Sequence, residues 1–145
     1  MRAAIDQAKL AAKMGEVPVG AVIVKDGEII AAGHNRRETG KNALLHAELS
    51  AINSACEILQ GWRLWQCELY VTLEPCPMCA GAIINARIPD VFFGAYDKKA
   101  GSCGSVISLF DYPYNHKPRL RGGVLEEECS ALLSIFFKEL RKNKT

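Results

Sequence analysis

The sequence predicts an α/β protein in which helices cover both faces of a central sheet, a three-layer α/β/α sandwich. Predicted strands and helices alternate along the chain, and the strands read as continuous apolar runs. The dipeptide Asp26-Gly27 between two such runs is typical of a tight hairpin. We therefore expect a mostly five-stranded mixed sheet that opens with a β-hairpin, in a single domain over residues 1–145.

The N-terminal part of the chain is predicted to contain one helix and the hairpin. Apolar residues recur at helical spacing over residues 2–14, and Gly15 is placed to end that helix. The hairpin strands are expected at residues 21–24 and 28–31, on either side of the Asp-Gly turn.

A polar loop and a second helix follow the hairpin. Asn42 is a suitable N-cap for this helix, which would carry an apolar stripe as far as Leu59 and place His46 in its first turn. The loop over residues 33–41 is either an ordinary solvated connection or a positively charged lip over a site. Its cationic residues are Arg36, Arg37 and Lys41.

The remaining elements alternate in the same way. Strands are expected at residues 68–73, at 90–95 and, for the last one, within 119–125, and a helix is expected to begin near Cys76. The final helix begins at Glu126 in an acidic first turn, which complements the helix dipole. Its basic residues are Lys138, Arg141, Lys142 and Lys144.

Three side chains in two short motifs indicate a metal site. His46, Cys76 and Cys79 offer one imidazole and two thiols, which fill three corners of a tetrahedral zinc site. A fourth position left open for water is typical of catalytic zinc. Glu48 is the carboxylate that would move protons beside that water, and we predict it as the catalytic residue, with one Zn²⁺ per chain.

Helix geometry indicates where such an ion would lie. Residues two apart on a helix point about 200° from each other, so His46 and Glu48 approach one ion only if it lies beyond the helix N-terminus. Cys76 and Cys79, three apart, fall on one side of the first turn of their own helix, where the dipole favours thiolates. Two helix N-termini would thus meet at the ion.

The Cys-x-x-Cys motif alone leaves two interpretations open. It follows a strand and begins a helix, as redox-active dithiols also do, so Cys76 and Cys79 could form a thioredoxin-like pair. The upstream His-x-Glu motif favours the metal, because a redox dithiol has no use for it. Together the two motifs match the signature of zinc-dependent base deaminases, which remove an exocyclic amine by hydrolysis.

Composition restricts the class of protein and its location. No apolar run approaches the roughly 20 residues that cross a bilayer, and no signal peptide is recognisable, so we expect an intracellular, cytoplasmic protein. A formal charge of +2 permits a nucleic-acid partner without requiring one. The remaining cysteines are expected to be small core residues; they are Cys56, Cys67, Cys103 and Cys129.

Three blocks of sequence resemble the bacterial tRNA-specific adenosine deaminases, a branch of the cytidine-deaminase-like superfamily. They are His46-Ala47-Glu48-Leu49, the run from Leu73 to Ile83 around Pro-Cys-Pro-Met-Cys, and the run from Phe93 to Gly101. The resemblance implies a cytidine-deaminase-like fold and a homodimer with active sites near the subunit interface. It also implies conversion of adenosine to inosine at the wobble position of a tRNA anticodon.

The same resemblance suggests the residues that contact the substrate. Asn35 would hydrogen-bond the extruded base, and Asp97 would lie near the RNA backbone or ribose. Ala47, Glu74 and Pro75, which stand inside the matching motifs, are also predicted to contact the anticodon stem-loop. The chain departs from the family at residues 42–45, where the family usually has Asp-Pro-Thr-Ala, and at 112–114, and both segments are expected to border the substrate entrance.

Three other functions are compatible with the motifs. One keeps the zinc chemistry but acts on a free base or nucleoside such as guanine or cytosine. Another is a redox protein that uses the Cys76–Cys79 dithiol, and the third is an RNA-binding module in which zinc is only structural.

Overall fold

The computed structural model describes residues 1–143, which form one five-stranded sheet with four α-helices. The strands are β1 (Gly20–Lys25), β2 (Glu28–His34), β3 (Cys67–Leu73), β4 (Asp90–Ala95) and β5 (Arg119–Arg121). The helices are α1 (Arg2–Lys13), α2 (Ala47–Leu59), α3 (Pro77–Asn85) and α4 (Glu126–Asn143), with a 3₁₀ turn at Leu109–Asp111.

The sheet is mixed, and its strand order is β2-β1-β3-β4-β5. The hairpin strand β1 pairs antiparallel with both β2 and β3, whereas β3, β4 and β5 run parallel to one another. Because β3 and β4 are parallel, the segments that follow Leu73 and Ala95 leave the sheet at the same end, where the carboxyl ends of these strands lie. The site described below is at that end of the sheet.

Two glycines show how closely helices pack on the two faces. A Cβ at Gly20 would collide with the carbonyl oxygen of Ala4 in α1, and a Cβ at Gly33 would lie 2.5 Å from the carbonyl oxygen of Ala47 in α2. Helix α4 packs against α1 and β4, and α3 packs against α2. The expected three-layer arrangement of a mixed sheet is therefore confirmed.

The main core lies between the sheet and the α2–α3 layer. Alanines face inward from α2, and branched and aromatic residues fill the space from the central strands. Three carboxylates are buried among the described residues: Glu16, Glu48 and Glu74 are 0%, 4% and 2% exposed. A buried carboxylate requires hydrogen-bond donors or a positive charge, so each of these glutamates has to be accounted for.

Helix α2 begins later than its sequence predicts. The N-cap residue is His46, not Asn42, and the preceding segment is a series of turns. The carbonyl of Leu45 accepts the N–H of Arg36 across the loop, and the Asn42 side chain accepts the N–H of Leu44. These bonds keep the backbone before His46 out of the helix.

The prediction of uniformly buried strands is wrong at both edges of the sheet. The first residues of β2 are exposed, and all three residues of β5 are exposed. Strand β5 ends at Arg121, well before Leu125, because Gly123 has a φ of +79° and the N–H of Val124 bonds to the carbonyl of Phe93.

Strand β2 extends three residues beyond its predicted end, to His34, and the remaining elements are found within a residue or two of their expected bounds. Of the cysteines predicted for the core, Cys67, Cys103 and Cys129 are buried and Cys56 is half-buried. Lys144, expected near the end of the last helix, lies outside the described residues. Within residues 1–143 no helix is both long enough and apolar enough to span a bilayer.

Candidate metal and catalytic site

Two helix N-termini bring the predicted metal ligands together. His46 is the N-cap of α2, Cys76 is the N-cap of α3, and Cys79 lies in the first turn of α3. The Nδ1 atom of His46 is 3.6 Å from the sulfur of Cys76 and 3.6 Å from that of Cys79. The three ligand atoms all lie within 4.8 Å of one another, as the sequence predicted.

These distances are those of a zinc site. A tetrahedral ion with Zn–N near 2.05 Å and Zn–S near 2.3 Å would separate the nitrogen from each sulfur by about 3.6 Å. One imidazole and two thiols also form a donor set that binds zinc in preference to calcium or magnesium, which take oxygen ligands. The His46, Cys76 and Cys79 cluster is therefore compatible with zinc, for which it could supply three ligands.

The cysteine pair carries negative charge in the absence of an ion. Hydrogen bonds from Cys79 and from His46 lower the pKa of the Cys76 thiol to about 4, despite its partial burial. The pKa of Cys79 is raised because its thiol donates to Cys76 and is buried. The hydrogen bond to Cys76 raises the pKa of His46 in turn. One thiolate is thus present at neutral pH to attract a cation.

Glu48 lies in the first turn of α2, next to this cluster. The pKa of its carboxyl is raised to about 7, chiefly by burial and also by the charge of Cys76, against the opposing hydrogen bond from the backbone N–H of Glu48 itself. The side chain interacts with Cys79 through a hydrogen bond. A carboxyl group so close to the ligand set can exchange protons with a water bound there.

A cavity of about 560 Å³ opens over the cluster, large enough for a nucleobase and its sugar. The predicted site residues that line it are Asn35, His46, Ala47, Glu48, Glu74, Cys76 and Asp97. In the part of the chain that the structure describes, Pro75 is the one predicted substrate contact outside the cavity wall. The carbonyl of Pro75 instead accepts the N–H of Ser102.

Asn35 and Asp97 are held by local hydrogen bonds. The amide nitrogen of Asn35 donates to the carbonyl of Val17, and its oxygen accepts the N–H of Arg37. The Asp97 carboxylate accepts the N–H groups of Lys99 and Ala100, which fixes it at the head of a turn. Both side chains therefore meet the cavity in a defined orientation.

The carboxylate of Glu74 is used by the loop after β4. It accepts the N–H groups of Asp97, Cys103 and Ser105 and the hydroxyl of Ser105. Burial alone would raise the pKa of Glu74, but these hydrogen bonds together lower it. The carboxylate is thus committed to the loop, and its predicted contact with substrate stays a prediction.

Several residues of the cavity wall were not predicted. Tyr96, Lys98 and Lys99 stand beside the predicted Asp97, so the motif that contains them was a usable signal. Leu133 and Phe137 reach the cavity from α4, which gave no sign of this in sequence. Glu16, buried beneath the loop after β2, was also missed because no local pattern distinguishes it from a solvated glutamate.

Comparison with known proteins identifies the family. The model of the MafB19-like deaminase family matches residues 1–141. The chain belongs to this deaminase family. It is 52% identical to the tRNA-specific adenosine deaminase of Bacillus subtilis, over 99% of this chain and 90% of the relative. The resemblance noted from the sequence motifs is thereby confirmed.

Solved structures give the same result for the fold of this deaminase. A structure from a study of A-to-I editing by tRNA:A34 deaminases superposes with a TM-score of 0.89 at 42% identity, covering 92% of this chain and 97% of the other. The guanine deaminase of Bacillus subtilis has a TM-score of 0.64 at 37% identity, covering 97% and 90%. The deaminase has the cytidine-deaminase-like fold.

Proposed function

We propose that this protein hydrolyses adenosine to inosine at the wobble position of a tRNA anticodon. The observation that supports it most strongly is the His46, Cys76 and Cys79 cluster, with Glu48 beside it, at the base of a nucleoside-sized cavity. The choice of substrate follows the Bacillus subtilis relative, which is named a tRNA-specific adenosine deaminase.

The metal is proposed to be Zn²⁺, one per chain, held by His46, Cys76 and Cys79. When bound, it would polarise a water molecule at its open position. Glu48 would accept a proton from that water and deliver it to the adenine ring nitrogen next to the reacting carbon. The water oxygen bonds to that carbon, Glu48 moves the remaining hydroxyl proton to the amine, and the C–N bond breaks to release ammonia and leave the carbonyl of inosine.

The rim of the cavity suits a single-stranded RNA loop. Arg37, Lys98 and Lys99 line its mouth and offer positive charge to phosphates. Glu48 is 4% exposed, so the target base has to leave its stack to reach it, which costs little in an anticodon loop. Asn35 is proposed to hydrogen-bond the base, and Asp97 is proposed to lie near the RNA backbone or ribose. Ala47, Glu74 and Pro75 are also proposed to contact the stem-loop.

The homodimer, the single domain over residues 1–145 and the cytoplasmic location are proposed on the family resemblance. A dimer interface could also bury exposed apolar side chains such as Leu44 and Val106, which are 57% and 60% exposed. Light scattering coupled to size-exclusion chromatography tests the oligomeric state.

One assay tests the reaction. Zinc-loaded protein is incubated with a synthetic anticodon stem-loop that carries adenosine at the wobble position, and inosine is measured by mass spectrometry. Parallel reactions contain free guanine, cytosine or adenosine, with ammonia release as the readout. Turnover of free guanine without any inosine in the stem-loop would replace the tRNA assignment by a free-base deaminase, for which the guanine deaminase likeness provides the precedent.

A further inference from the structure

Glu16 is a buried carboxylate outside the ligand cluster, in the connection between α1 and β1. It is 0% exposed, and its two oxygens accept backbone N–H groups of the loop after β2. One oxygen is 3.0 Å from the nitrogen of Glu38, and the other is 2.6 Å from the nitrogen of Thr39. We call residues 35–41 the Asn35 loop, because Asn35 is its first residue.

The Asn35 loop supplies two groups to the cavity and leads to the first metal ligand. Asn35 and Arg37 line the cavity, and His46 follows a few residues later. The loop is a series of turns: the carbonyls of Arg36, Glu38 and Arg37 accept the N–H groups of Gly40, Lys41 and Asn42, and Lys41 has a φ of +50°. These bonds shape the loop internally, and its position over the cavity depends on contacts with other segments.

Those contacts come from the segment that contains Glu16. The next residue along the chain, Val17, accepts the side-chain N–H of Asn35, and Val19 accepts the backbone N–H of Asn35. Glu16 holds the middle of the loop, at Glu38 and Thr39. The Asn35 loop is thus held at its start by the backbone of Val17 and Val19, and in its middle by the carboxylate of Glu16.

Two acceptor oxygens are what this position requires. Burial alone would raise the pKa of Glu16, but the hydrogen bonds from Thr39 and Glu38 and the charge of Arg37 outweigh it, so the pKa is lowered. A glutamine of the same shape has one acceptor oxygen, and its NH₂ group would face an N–H donor. One loop amide would then lose its hydrogen-bond acceptor in a partly buried position.

We propose that Glu16 is a positioning residue that fixes Asn35 and Arg37 in place to receive the substrate. It acts through the backbone of the Asn35 loop and touches neither the substrate nor the metal. The substrate in question is that of the proposed function, but the holding of the loop is a property of the protein alone.

Hydrogen exchange measured on Glu16→Gln tests the holding of the loop without any substrate. In the zinc-loaded variant, peptides that contain the amides of Glu38 and Thr39 should exchange at least about tenfold faster than in the unchanged protein. Peptides from α2 and β3 should keep their protection, and zinc content should stay at one per chain. Unchanged exchange at Glu38 and Thr39 would overturn the proposal.

Steady-state kinetics with the anticodon stem-loop test the consequence for binding. Glu16→Gln should raise KM about tenfold and leave kcat within about threefold, because the loop orients the substrate but not the reacting water. Glu16→Gln removes a negative charge near an RNA substrate, and this electrostatic effect alone would lower KM. A rise in KM would therefore report the loss of loop positioning. Glu28→Gln, which removes an exposed carboxylate from β2, is the control for loss of charge and should not raise KM.

The outcomes separate this proposal from the proposed function. Faster loop exchange without deamination of any stem-loop, even by the unchanged protein, would support the positioning role and reject the substrate assignment. Faster exchange together with an unchanged KM would reject the positioning role. If Glu16→Gln does not fold, Glu16→Asp, which keeps the charge but shortens the reach, should show the same pattern more weakly. Failure of both variants to fold with zinc would overturn the proposal in favour of a general folding role.

Discussion

The carboxylate of Glu74 occupies the space that a side chain at Gly101 would need. A Cβ at residue 101 would collide with the Cδ and Oε1 atoms of Glu74 and with the carbonyl oxygen of Asp97. The loop after β4 can therefore close on the carboxylate only because residue 101 has no side chain. Glu74 stands two residues before the ligand Cys76, so this packing ties the Asp97 turn to the metal cluster.

Gly101→Ala should separate the loop from Glu74. We expect the free energy of unfolding to fall by about 1–3 kcal/mol, the usual cost of overpacking a tight site. Urea unfolding followed by circular dichroism measures it. Gly81→Ala is the matched control, since a Cβ there meets nothing within 4 Å and alanine favours the helix. Equal stability of the two variants would contradict the packing described.

Glu48→Gln should abolish deamination while leaving the site assembled. General acid–base groups contribute about 10²–10⁴-fold to rate, so kcat for the stem-loop should fall by at least about 10²-fold. Elemental analysis should still find one zinc per chain, and stem-loop affinity should be unchanged. Glu57→Gln alters an exposed residue of the same helix and should remain fully active. A Glu48→Gln variant that still deaminates the stem-loop at an unchanged rate would contradict the assignment of Glu48 as the proton carrier.

Metal analysis separates the zinc site from the redox dithiol. The purified protein should contain about one zinc per chain, and Cys79→Ser should lose most of it, because serine is a poor zinc ligand. Cys56→Ser, which changes a half-buried cysteine outside the cluster, should keep the metal. A metal-free protein with a reversibly oxidised Cys76–Cys79 pair would instead favour the redox interpretation.

The ion pair between β4 and β5 should give acid-sensitive stability. Arg119 donates to both carboxylate oxygens of Asp90, at 2.7 and 2.8 Å, and this lowers the pKa of Asp90 from 3.8. Because the folded-state pKa is the lower one, the stabilisation is present above pH 3.8 and is lost as pH falls through the folded-state value.

The comparison of unchanged protein with Asp90→Asn checks this sign. The difference in unfolding free energy should be largest near neutral pH and disappear in acid, and it should be small because Arg119 is largely exposed. Arg119→Gln should show the same loss. A difference that grows on acidification would contradict the assignment.

The metal cluster could be predicted from sequence because its signals are short-range. Cys76 and Cys79 are three residues apart at a helix start, and His46 and Glu48 form a second local motif. The β1–β2 hairpin could also be predicted from the sequence, because the Asp-Gly turn between its strands is a local signal. Only the meeting of the two motifs is long-range, and the chemistry of a shared ion supplied that link.

The rest of the site depends on contacts that no local pattern records. The sequence predicts that α2 begins at Asn42, whereas it begins after His46. The N–H of Arg36 bonds across the loop to the carbonyl of Leu45, and this bond leaves no local signal. Glu16 is indistinguishable in sequence from a solvated glutamate until the loop after β2 folds onto it. Phe137 reaches the cavity only because α4 packs against β4, which depends on tertiary structure.

The two ligand segments have a consequence beyond chemistry. His46 and Cys76 are separated by 30 residues, so an ion bound by both would act as a reversible cross-link between two helices. Loss of zinc would then lower the stability of the protein as well as its activity. Cells short of the metal would be expected to clear this protein by proteolysis instead of storing it as an idle reserve.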